Sequence, residues 1–335
     1  MKVLLICNYK PGVGGISGQV EILQRKLRSE GHTADIFSTK ASVLKRLLLP
    51  LQLRSAAKHY DVLHIHCCSG WGFLPAVVGV TVGRQLKKRV VLTYHGGGGE
   101  RFFDKHFCLV RHFLMRTDAN IVLSGFLAKV FDNHHLPYTI IPNIIELNES
   151  HYRERTSIPP NFICVRAHEP LYNIPCILRA FQKVLTEIPD ATLTLVGSGS
   201  EHEVLMAIVK EMELKNVSFT GRVDNKEIYR YLDMADIMLS APKVDNMPVS
   251  LLEAMNAGLL VISSDVGGVP YMIEDNKTGY LFPSDDSDAL ASLMIQAVRV
   301  PSESTAIIRN AHQAVDAYRW ENIKDKLYHT YGFSS

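Results

Sequence analysis

Short apolar runs alternate with helical stretches along nearly the whole chain, and this alternation restricts the possible folds more than any other feature. The runs have the length of strands, and the stretches between them carry apolar residues at helical spacing. The runs are residues 3–7, 34–37, 62–66, 90–94 and 121–123, followed by 162–165, 193–196, 217–219, 237–239 and 260–262. Such alternation predicts an α/β fold with parallel, doubly wound sheets.

The alternation is interrupted once, between residues 145 and 160, where polar residues and Pro159-Pro160 indicate a linker. A chain of 335 residues is expected to form two domains. We therefore predict two Rossmann-like domains over residues 1–148 and 160–317, with a C-terminal helix at about 318–335 packing back on the first. Because ligands of such sheets bind beyond the carboxyl ends of the strands, we expect a cleft between the domains.

Composition excludes several classes of protein. Apolar residues at 47% and charged residues at 21% are typical of a globular chain, and no run approaches the ~20 apolar residues of a membrane span. Residues 1–9 lack a cleavage-site pattern, so we interpret them as a first strand and not as a signal peptide. The six cysteines show no paired metal spacing, and several lie in strand-like runs. We expect reduced, buried thiols and a cytoplasmic location.

Charge is distributed unevenly between the two halves. Residues 1–150 hold 19 Lys and Arg against 10 Asp and Glu, whereas the remainder holds 17 against 24. A basic half suits a membrane surface, a nucleic acid or an anionic substrate. Nucleic acid is disfavoured because the basic residues are spread over several elements and no recognised motif is present.

A Leu-rich, basic segment at residues 42–58 includes Lys45, Arg46, Arg54 and Lys58. Such a segment suits peripheral contact with an anionic membrane, here the inner face. Pro50 interrupts it, and a core helix with a solvated basic side is the commoner explanation of this pattern. Membrane contact is therefore the minority hypothesis.

The stretch 245–258, DNMPVSLLEAMNAG, combines two carboxylates with a predicted helix. Pro248 favours a helix start, and Gly258 favours its end. Asp245 precedes the helix, and Glu253 lies inside it, with seven residues between them. A helix start attracts anions, and the two carboxylates suit a sugar hydroxyl and a diol such as ribose. A loop cap at Asp245 and a surface charge at Glu253 explain the same residues about equally well.

Further candidate contacts follow the other strands of the second half. Arg166 closes the first of these strands, where a planar guanidinium suits a diphosphate, although an ordinary surface Arg is the alternative. Gly-rich turns follow the next two strands at Gly197-Ser198 and at 220–223, which reads TGRV and contains Arg222 and Val223. Each turn alone is a weak signal, but their convergence at one sheet edge predicts a ligand site.

The first half contains two glycine-rich loops after strands. The loop 11–15, with Gly14-Gly15, precedes a helix, so phosphate contact is slightly favoured over a plain turn. His95 ends a strand and precedes four glycines, which favours a functional role over a strand-end His with a flexible linker. His64 and His66 share one strand face and could form half of a metal site. No acidic or Cys partner has suitable spacing, so we prefer a non-metal interpretation.

These residues resemble the retaining glycosyltransferases of family 4, whose GT-B arrangement consists of two Rossmann-like domains facing across a cleft. The resemblance covers nearly the whole chain and is most specific in SAPKVDNMPVSLLEAMNAGLLVISSDVGGVPYMI, followed by Thr278-Gly279-Tyr280-Leu281. It is supported by LTLVGSGSE, by FTGRV, by the early Gly-Gly loop and by Ile141-Pro142-Asn143.

The resemblance also implies roles for individual residues. Asp245, where Glu is more usual, orients donor-sugar hydroxyls, and Glu253 binds the ribose. Arg166 contacts the donor phosphates, His95 meets the donor sugar, and Gly14-Gly15 face the diphosphate. The implied donor-binding residues are Gly14, Gly15, Gly197, Ser198, Arg222, Val223, Asn246, Met247, Pro248, Val249, Ser250 and Glu253.

One position departs from the family pattern. The Lys that commonly follows the Arg has no counterpart in residues 169–173, EPLYN, so Arg166 remains the main cationic phosphate ligand. The resemblance implies transfer from a UDP- or GDP-linked sugar to a glycan or lipid-linked glycan in cell-envelope or polysaccharide synthesis, without a cofactor or an obligatory metal. A GT-B nucleotide-sugar epimerase and a catalytically silent nucleotide-sugar-binding protein are the alternatives, the latter because of the missing Lys.

Overall fold

A computed structural model describes residues 1–11, 15–42, 46–146, 151–224 and 227–333. It confirms the predicted doubly wound α/β fold class. The chain divides into two compact units, which consist of residues 1–146 with 318–335 and of residues 147–317. Gly14 and Lys45, which enter the sequence predictions, lie outside the described residues.

The first unit contains a parallel six-stranded sheet in the order β2-β1-β3-β4-β5-β6. Its strands are β1 (Lys2–Cys7), β2 (Thr33–Ser38), β3 (Val62–Cys67), β4 (Arg89–Tyr94), β5 (Ala119–Val122) and β6 (Thr139–Ile140). Its helices are α1 (Ile16–Ser29), α2 (Leu49–Ala57), α3 (Leu74–Gln85), α4 (Gly99–Leu114), α5 (Gly125–Asn133) and the last helix of the chain, α12 (Trp320–Tyr331).

Both faces of this sheet are buried, because alternate residues of one strand enter different cores. Leu4 and Ile6 of β1 belong to the core that includes α2 to α5, whereas Val3 and Leu5 belong to the core that includes α1 and α12. Helix α12 inserts four fully buried side chains into the second of these cores, namely Trp320, Ile323, Leu327 and Tyr331.

The second unit contains another parallel six-stranded sheet, in the order β12-β11-β10-β7-β8-β9. Its strands are β7 (Asn161–Val165), β8 (Thr192–Val196), β9 (Val217–Gly221), β10 (Ile237–Ser240), β11 (Leu260–Ser264) and β12 (Tyr280–Phe282). Its helices are α6 (Ile174–Glu187), α7 (His202–Glu211), α8 (Ile228–Met234), α9 (Val249–Asn256), α10 (Ser287–Arg299) and α11 (Pro301–Ala314).

The later part of the segment predicted as a linker, residues 151–160, belongs to the second unit and packs on it. Arg155 is only 4% exposed, and its guanidinium donates hydrogen bonds to the carbonyl oxygens of Ala235 at 2.6 Å, Ala257 at 2.9 Å and Gly258 at 2.6 Å. These carbonyls end helices α8 and α9, so Arg155 caps two helix C-termini. The guanidinium of Arg155 therefore has structural partners within the second unit.

Two further observations concern the sequence predictions. Cys7, Cys67, Cys164 and Cys176 are buried free thiols, as expected, whereas Cys108 is exposed. Among the described residues, none of the helices is long and apolar enough to cross a membrane.

Candidate functional site

Arg166 lies immediately after β7, at the carboxyl edge of the second sheet, and three groups of its own unit hold its guanidinium. Its Nη1 is 3.1 Å from Oδ2 of Asp245, and its Nη2 donates to Oγ of Ser240 at 3.1 Å. The ring of Tyr172 lies 5.1 Å from the guanidinium carbon, in a cation–π arrangement. The buried Nε of Arg166 is a donor without a partner among the described residues.

The loop that carries Asp245 is fixed by its own backbone and by two glycines. Oδ1 of Asp245 accepts from the N–H of Asn246 at 2.8 Å, and its carbonyl accepts from the N–H of Gly268 at 2.9 Å. Gly267 has a φ of 56°, and a Cβ there would lie 2.0 Å from the Asp245 carbonyl oxygen. Only glycine allows this approach, and it directs the Asp245 carboxylate toward Arg166.

Helix α9 begins at Val249, directly after Pro248, and ends at Asn256, close to Gly258 with its φ of 76°. This matches the predicted helix. Its first turn presents backbone N–H groups that have no partner within the helix, and the buried Oγ of Ser250 also has no partner among the described residues. The residues before the helix, Asn246, Met247 and Pro248, are buried. The geometry therefore provides donors for an anion at this end.

Glu253 is a half-buried carboxylate inside α9. Burial raises its pKa to about 7, and the positive charge of Arg166 partly opposes this effect. Within the described residues, no side chain or backbone group hydrogen-bonds to the carboxylate. An ionised Glu accepts hydrogen bonds at both oxygens, so the pair of hydroxyls of a diol matches its unused capacity.

The turn after β8 approaches Arg166 closely because it contains glycine. Gly197 has a φ of 144°, and a Cβ there would lie 1.9 Å from the carbonyl oxygen of Arg166. Ser198 is exposed, and its carbonyl accepts from the N–H of His168 at 3.1 Å. Glu169 accepts from the N–H and Oγ of Ser200 at 3.0 and 2.6 Å. The segment without the family Lys thus holds the neighbouring turn in place.

The turn after β9 lies at the same edge of the sheet. Gly221, with a φ of 69°, accepts at its carbonyl from the N–H of Gly197 at 3.0 Å. Arg222 follows as an exposed side chain and Val223 as a half-buried one. Because β10, β7, β8 and β9 are neighbours in the sheet, the predicted contacts of the second unit lie along one edge.

In the first unit, His95 follows β4 and belongs to a buried group of histidines. Its Nε2 is 3.0 Å from Nδ1 of His66. The imidazoles of His66 and His64 lie on the same strand face, with ring centroids 4.2 Å apart and planes tilted by 37°. His64 contacts Oγ1 of Thr93 at 2.8 Å and the hydroxyl of Tyr331 at 2.7 Å. Burial lowers the pKa of His95 to about 4 and that of His64 to about 3, so these rings are neutral at pH 7.

Two other predictions concern this unit. Gly15 has a φ of 68° and directly precedes α1, while the rest of the predicted phosphate loop, residues 12–14, lies outside the described residues. Over the described ranges, no three His, Cys, Asp or Glu side chains are grouped so as to hold a metal ion.

Sequence reasoning missed the side chains that hold Arg166 and the glycine behind Asp245. Ser240 ends β10 and Tyr172 belongs to the short 3-10 helix Pro170–Tyr172, and neither has a local motif that marks a contact with β7. Gly267 stands in the DVGG stretch, where paired glycines after a strand are the one signal that indicates a close backbone approach.

Two doubly wound parallel sheets, one per unit, define the GT-B fold of glycosyltransferases. The family described as Glycosyl transferases group 1 matches residues 151–314, and the family described as Glycosyltransferase Family 4 matches residues 40–149. The chain belongs to the family 4 glycosyltransferases, which confirms the resemblance found in the sequence.

Named relatives agree with this assignment, and a solved structure shares the fold. The chain is 26% identical to the N-acetyl-alpha-D-glucosaminyl L-malate synthase of Bacillus anthracis over 72% of its own length and 66% of that protein. It is 32% identical to the amylovoran biosynthesis glycosyltransferase AmsK of Erwinia amylovora, over 37% of its own length and 32% of that protein. The chain thus spans less than two thirds of the length of either relative. The structure of Anabaena HepE in complex with UDP-glucose has a TM-score of 0.81 at 16% identity, over 99% of both chains.

Proposed function

We propose that the chain transfers a sugar from a UDP- or GDP-linked donor to an acceptor hydroxyl and retains the configuration at the anomeric carbon. The observation that carries this proposal is the contact between Arg166 and Asp245 beside the start of α9, with Glu253 unpaired in the same helix. This arrangement offers a cation and N–H donors to a diphosphate, and carboxylates to the hydroxyls on either side of it.

In the proposed reaction, the bond between the anomeric carbon and the diphosphate oxygen breaks, and the nucleoside diphosphate leaves. The acceptor oxygen forms its bond on the same face, and its proton passes to the departing phosphate. Arg166 and the first N–H groups of α9 stabilise the negative charge that develops on the leaving group. Stabilisation of this kind is usually the largest contribution to catalysis.

The remaining residues orient the donor. Asp245 accepts hydrogen bonds from sugar hydroxyls, and Glu253 accepts a pair from the ribose. The neutral imidazole of His95 contacts the sugar, with its tautomer set by the hydrogen bond to His66. Arg166 and the helix start supply positive charge without a bound ion, so we propose that no metal is required.

The names of similar proteins support the choice of substrate class. HepE was solved with UDP-glucose, and the relative from Bacillus anthracis is named for a glucosaminyl group and L-malate. The AmsK relative is named for amylovoran biosynthesis. For this chain we propose a UDP-linked hexose as the first donor to test, and a glycan or lipid-linked acceptor.

The test is calorimetric binding of UDP-, GDP- and ADP-linked sugars, each with and without EDTA, followed by turnover with the donor that binds. We expect selective binding that survives EDTA and a loss of kcat/KM on the order of 100-fold in Arg166→Ala. Arg179→Ala is the matched control, because Arg179 is an exposed Arg of the same unit that pairs with Asp285 at 2.9 Å. Near-normal turnover of Arg166→Ala refutes its role.

A second candidate function has a specific observation in its favour. Residues 169–173 supply no Lys, and Tyr172 occupies the face of the Arg166 guanidinium, which suits a catalytically silent nucleotide-sugar-binding protein. Donor binding without acceptor-dependent release of nucleotide favours that candidate. Conversion of the donor sugar to its epimer without an acceptor favours an epimerase instead.

A further inference from the structure

One outer edge of the second sheet is formed by β9, which pairs only with β8 among the described strands. An open strand edge presents a row of backbone N–H and C=O groups, and proteins usually protect such edges by short strands, charged residues or proline. At the other three edges, β6 and β12 have only two and three residues, and β2 carries Asp35. Strand β9 has five residues, VSFTG, without a charge or a proline. This edge is therefore suited to pairing with another strand.

Helix α7, which precedes β9, carries more apolar residues than its own unit buries. Its central residues 204–209, VLMAIV, are all apolar, yet only Leu205 of these six is fully buried. Val204 is 53% exposed and Met206 46%. A groove of about 570 Å³ lies between this helix and β9. Apolar side chains of both elements line it, namely Met206, Val209, Val217 and Phe219. An exposed apolar surface beside an open strand edge is typical of a protein–protein interface.

The exposed face of α7 has opposite charges at its two ends. Glu203 lies in the first turn and Lys210 in the last, and both side chains are exposed. Residues three, four and seven positions apart share one face of a helix, so Met206 and Ala207 lie between the two charges. Neither Glu203 nor Lys210 forms an ion pair with any residue that the structure describes. A face with an acid, an apolar centre and a base is complementary to its own copy in the antiparallel direction.

This self-complementarity indicates a second copy of the chain as the occupant of the surface. In a dimer with two-fold symmetry, the same patch of both copies meets at the interface. A two-fold axis beside β9, perpendicular to the sheet, pairs the two β9 strands antiparallel and also places the two α7 helices antiparallel on one face of the sheet. Glu203 of each copy then meets Lys210 of the other, and the Met206 side chains meet near the axis. The strand edge and the helix charges thus require the same symmetry.

We propose that the chain forms a two-fold dimer through α7 and β9, in which the sheets of the two second units join into one continuous sheet. Main-chain hydrogen bonds between the β9 strands supply part of the affinity, as in other cases of strand addition at a sheet edge. The apolar centre of α7 and its terminal charges determine the register. None of these residues is a proposed donor contact, so the dimer is independent of the sugar-transfer reaction.

Sedimentation equilibrium of the full chain over a range of concentrations tests the proposal. We expect an equilibrium between monomer and dimer in the unchanged protein. Met206→Asp places two carboxylates near the axis and should raise the Kd of the dimer on the order of 100-fold. A chain that is monomeric at every concentration overturns the proposal. So does a dimer whose Kd is the same in Met206→Asp.

Charge reversal tests the antiparallel arrangement of the helices. Lys210→Glu brings two acids together at each end of the interface, and Glu203→Lys brings two bases together. Each variant alone should dimerise more weakly, on the order of 10-fold, because like charges repel. An equimolar mixture of the two variants should form a heterodimer with nearly the affinity of the unchanged protein, since every acid then meets a base. A mixture that associates no better than its components overturns the pairing of α7 with its copy.

A matched control reverses exposed charges elsewhere in the chain, with Glu321→Lys and Lys326→Glu on α12 as two separate variants. We expect both to dimerise as the unchanged protein does. A loss equal to that of the α7 variants would mean that net charge controls association, and would overturn the proposal. Recovery of the dimer in the mixture of α7 variants also shows that both of them are folded.

Hydrogen exchange tests the pairing of the β9 strands separately. In the dimer, the outward N–H groups of residues 217–221 form hydrogen bonds, so their exchange should be slower than in the monomeric Met206→Asp. The same measurement on β12, at the opposite edge of the sheet, should give equal rates in the two proteins. Equal exchange of β9 in dimer and monomer would overturn the strand pairing.

Discussion

Glu253 is proposed to bind the ribose of the donor, and the protonation of its carboxylate can be measured. Its pKa of about 7 exceeds the ordinary value of 4.5, because burial penalises the carboxylate. The folded protein therefore binds more protons than the unfolded chain between these values, and the free energy of unfolding falls as pH rises from 4.5 through 7. The full effect is at most about 3 kcal/mol. Glu253→Gln should remove this part of the pH dependence in urea unfolding, and parallel curves for both proteins would contradict the assignment.

Glu253 should also release a proton when the nucleotide binds. Ribose hydroxyls that donate to Glu253 favour its ionised form, so the ligand lowers the pKa and a proton leaves near pH 7. Calorimetry of nucleotide binding in two buffers of different ionisation enthalpy measures this proton. We expect release by the unchanged protein and none by Glu253→Gln. Equal proton release by the two proteins would mean that the ribose does not bind to Glu253.

Gly267 sets the position of Asp245 through a backbone contact. A Cβ at this residue would lie 2.0 Å from the Asp245 carbonyl oxygen, so Gly267→Ala must displace the loop. We expect a loss of donor affinity of at least about 10-fold, since a small misplacement of binding groups is costly. Gly31→Ala is the control, because Gly31 also has a positive φ, of 80°, but a Cβ there meets no atom within 4 Å. Similar donor affinity in the two variants would mean that the position of Asp245 does not determine donor binding.

At the scale of elements, Arg155 connects the first described segment of the second unit, residues 151–160, to the C-terminal ends of helices α8 and α9. Besides the helix carbonyls, its Nε donates to the buried Asp236 at 3.0 Å. Arg155→Ala leaves a buried carboxylate with fewer partners, and we expect the free energy of unfolding to fall by about 3–5 kcal/mol. Arg153→Ala removes a half-exposed side chain that also pairs with Asp236, and it should lower the free energy of unfolding by only about 1 kcal/mol. Urea denaturation measures both, and equal losses would contradict the capping role.

Strand and helix periodicity predicts the longer elements because their burial is regular. It misses β6 and β12, which have two and three residues, too few for a period to emerge. The start and end of α9 follow from Pro248 and Gly258, which act locally. The sequence pattern around Arg155 indicates a linker because the partners of this residue, such as Ala257, lie about a hundred residues away.

For the site, the sequence predicts that Arg166 and Asp245 lie at the same edge of one sheet, since parallel strands share a carboxyl edge, and the structure adds that their strands, β7 and β10, are neighbours. It does not reveal that Tyr172 and Ser240 also hold Arg166, because these contacts depend on side-chain directions across the sheet. The ligand roles of these residues remain predictions. The pKa of Glu253 is likewise a property of its burial and not of its position in a motif.

At the scale of the whole molecule, the end of the chain completes the unit that its beginning forms. Helix α12 buries Leu327 and Trp320 in the same core as Val3 and Leu5 of β1. Both tryptophans of the sequence, Trp71 and Trp320, belong to this first unit, so tryptophan fluorescence reports on its unfolding.

Leu327→Ala should therefore lower the stability that fluorescence measures in urea by about 2–5 kcal/mol, the usual cost of truncating a buried Leu. Leu193→Ala removes a fully buried side chain from the core of the second unit and serves as the control. We expect it to change the circular dichroism transition more than the fluorescence transition. A fluorescence midpoint that Leu327→Ala leaves unchanged would mean that the first unit is stable without α12, and that the contribution of the last helix to its core is small.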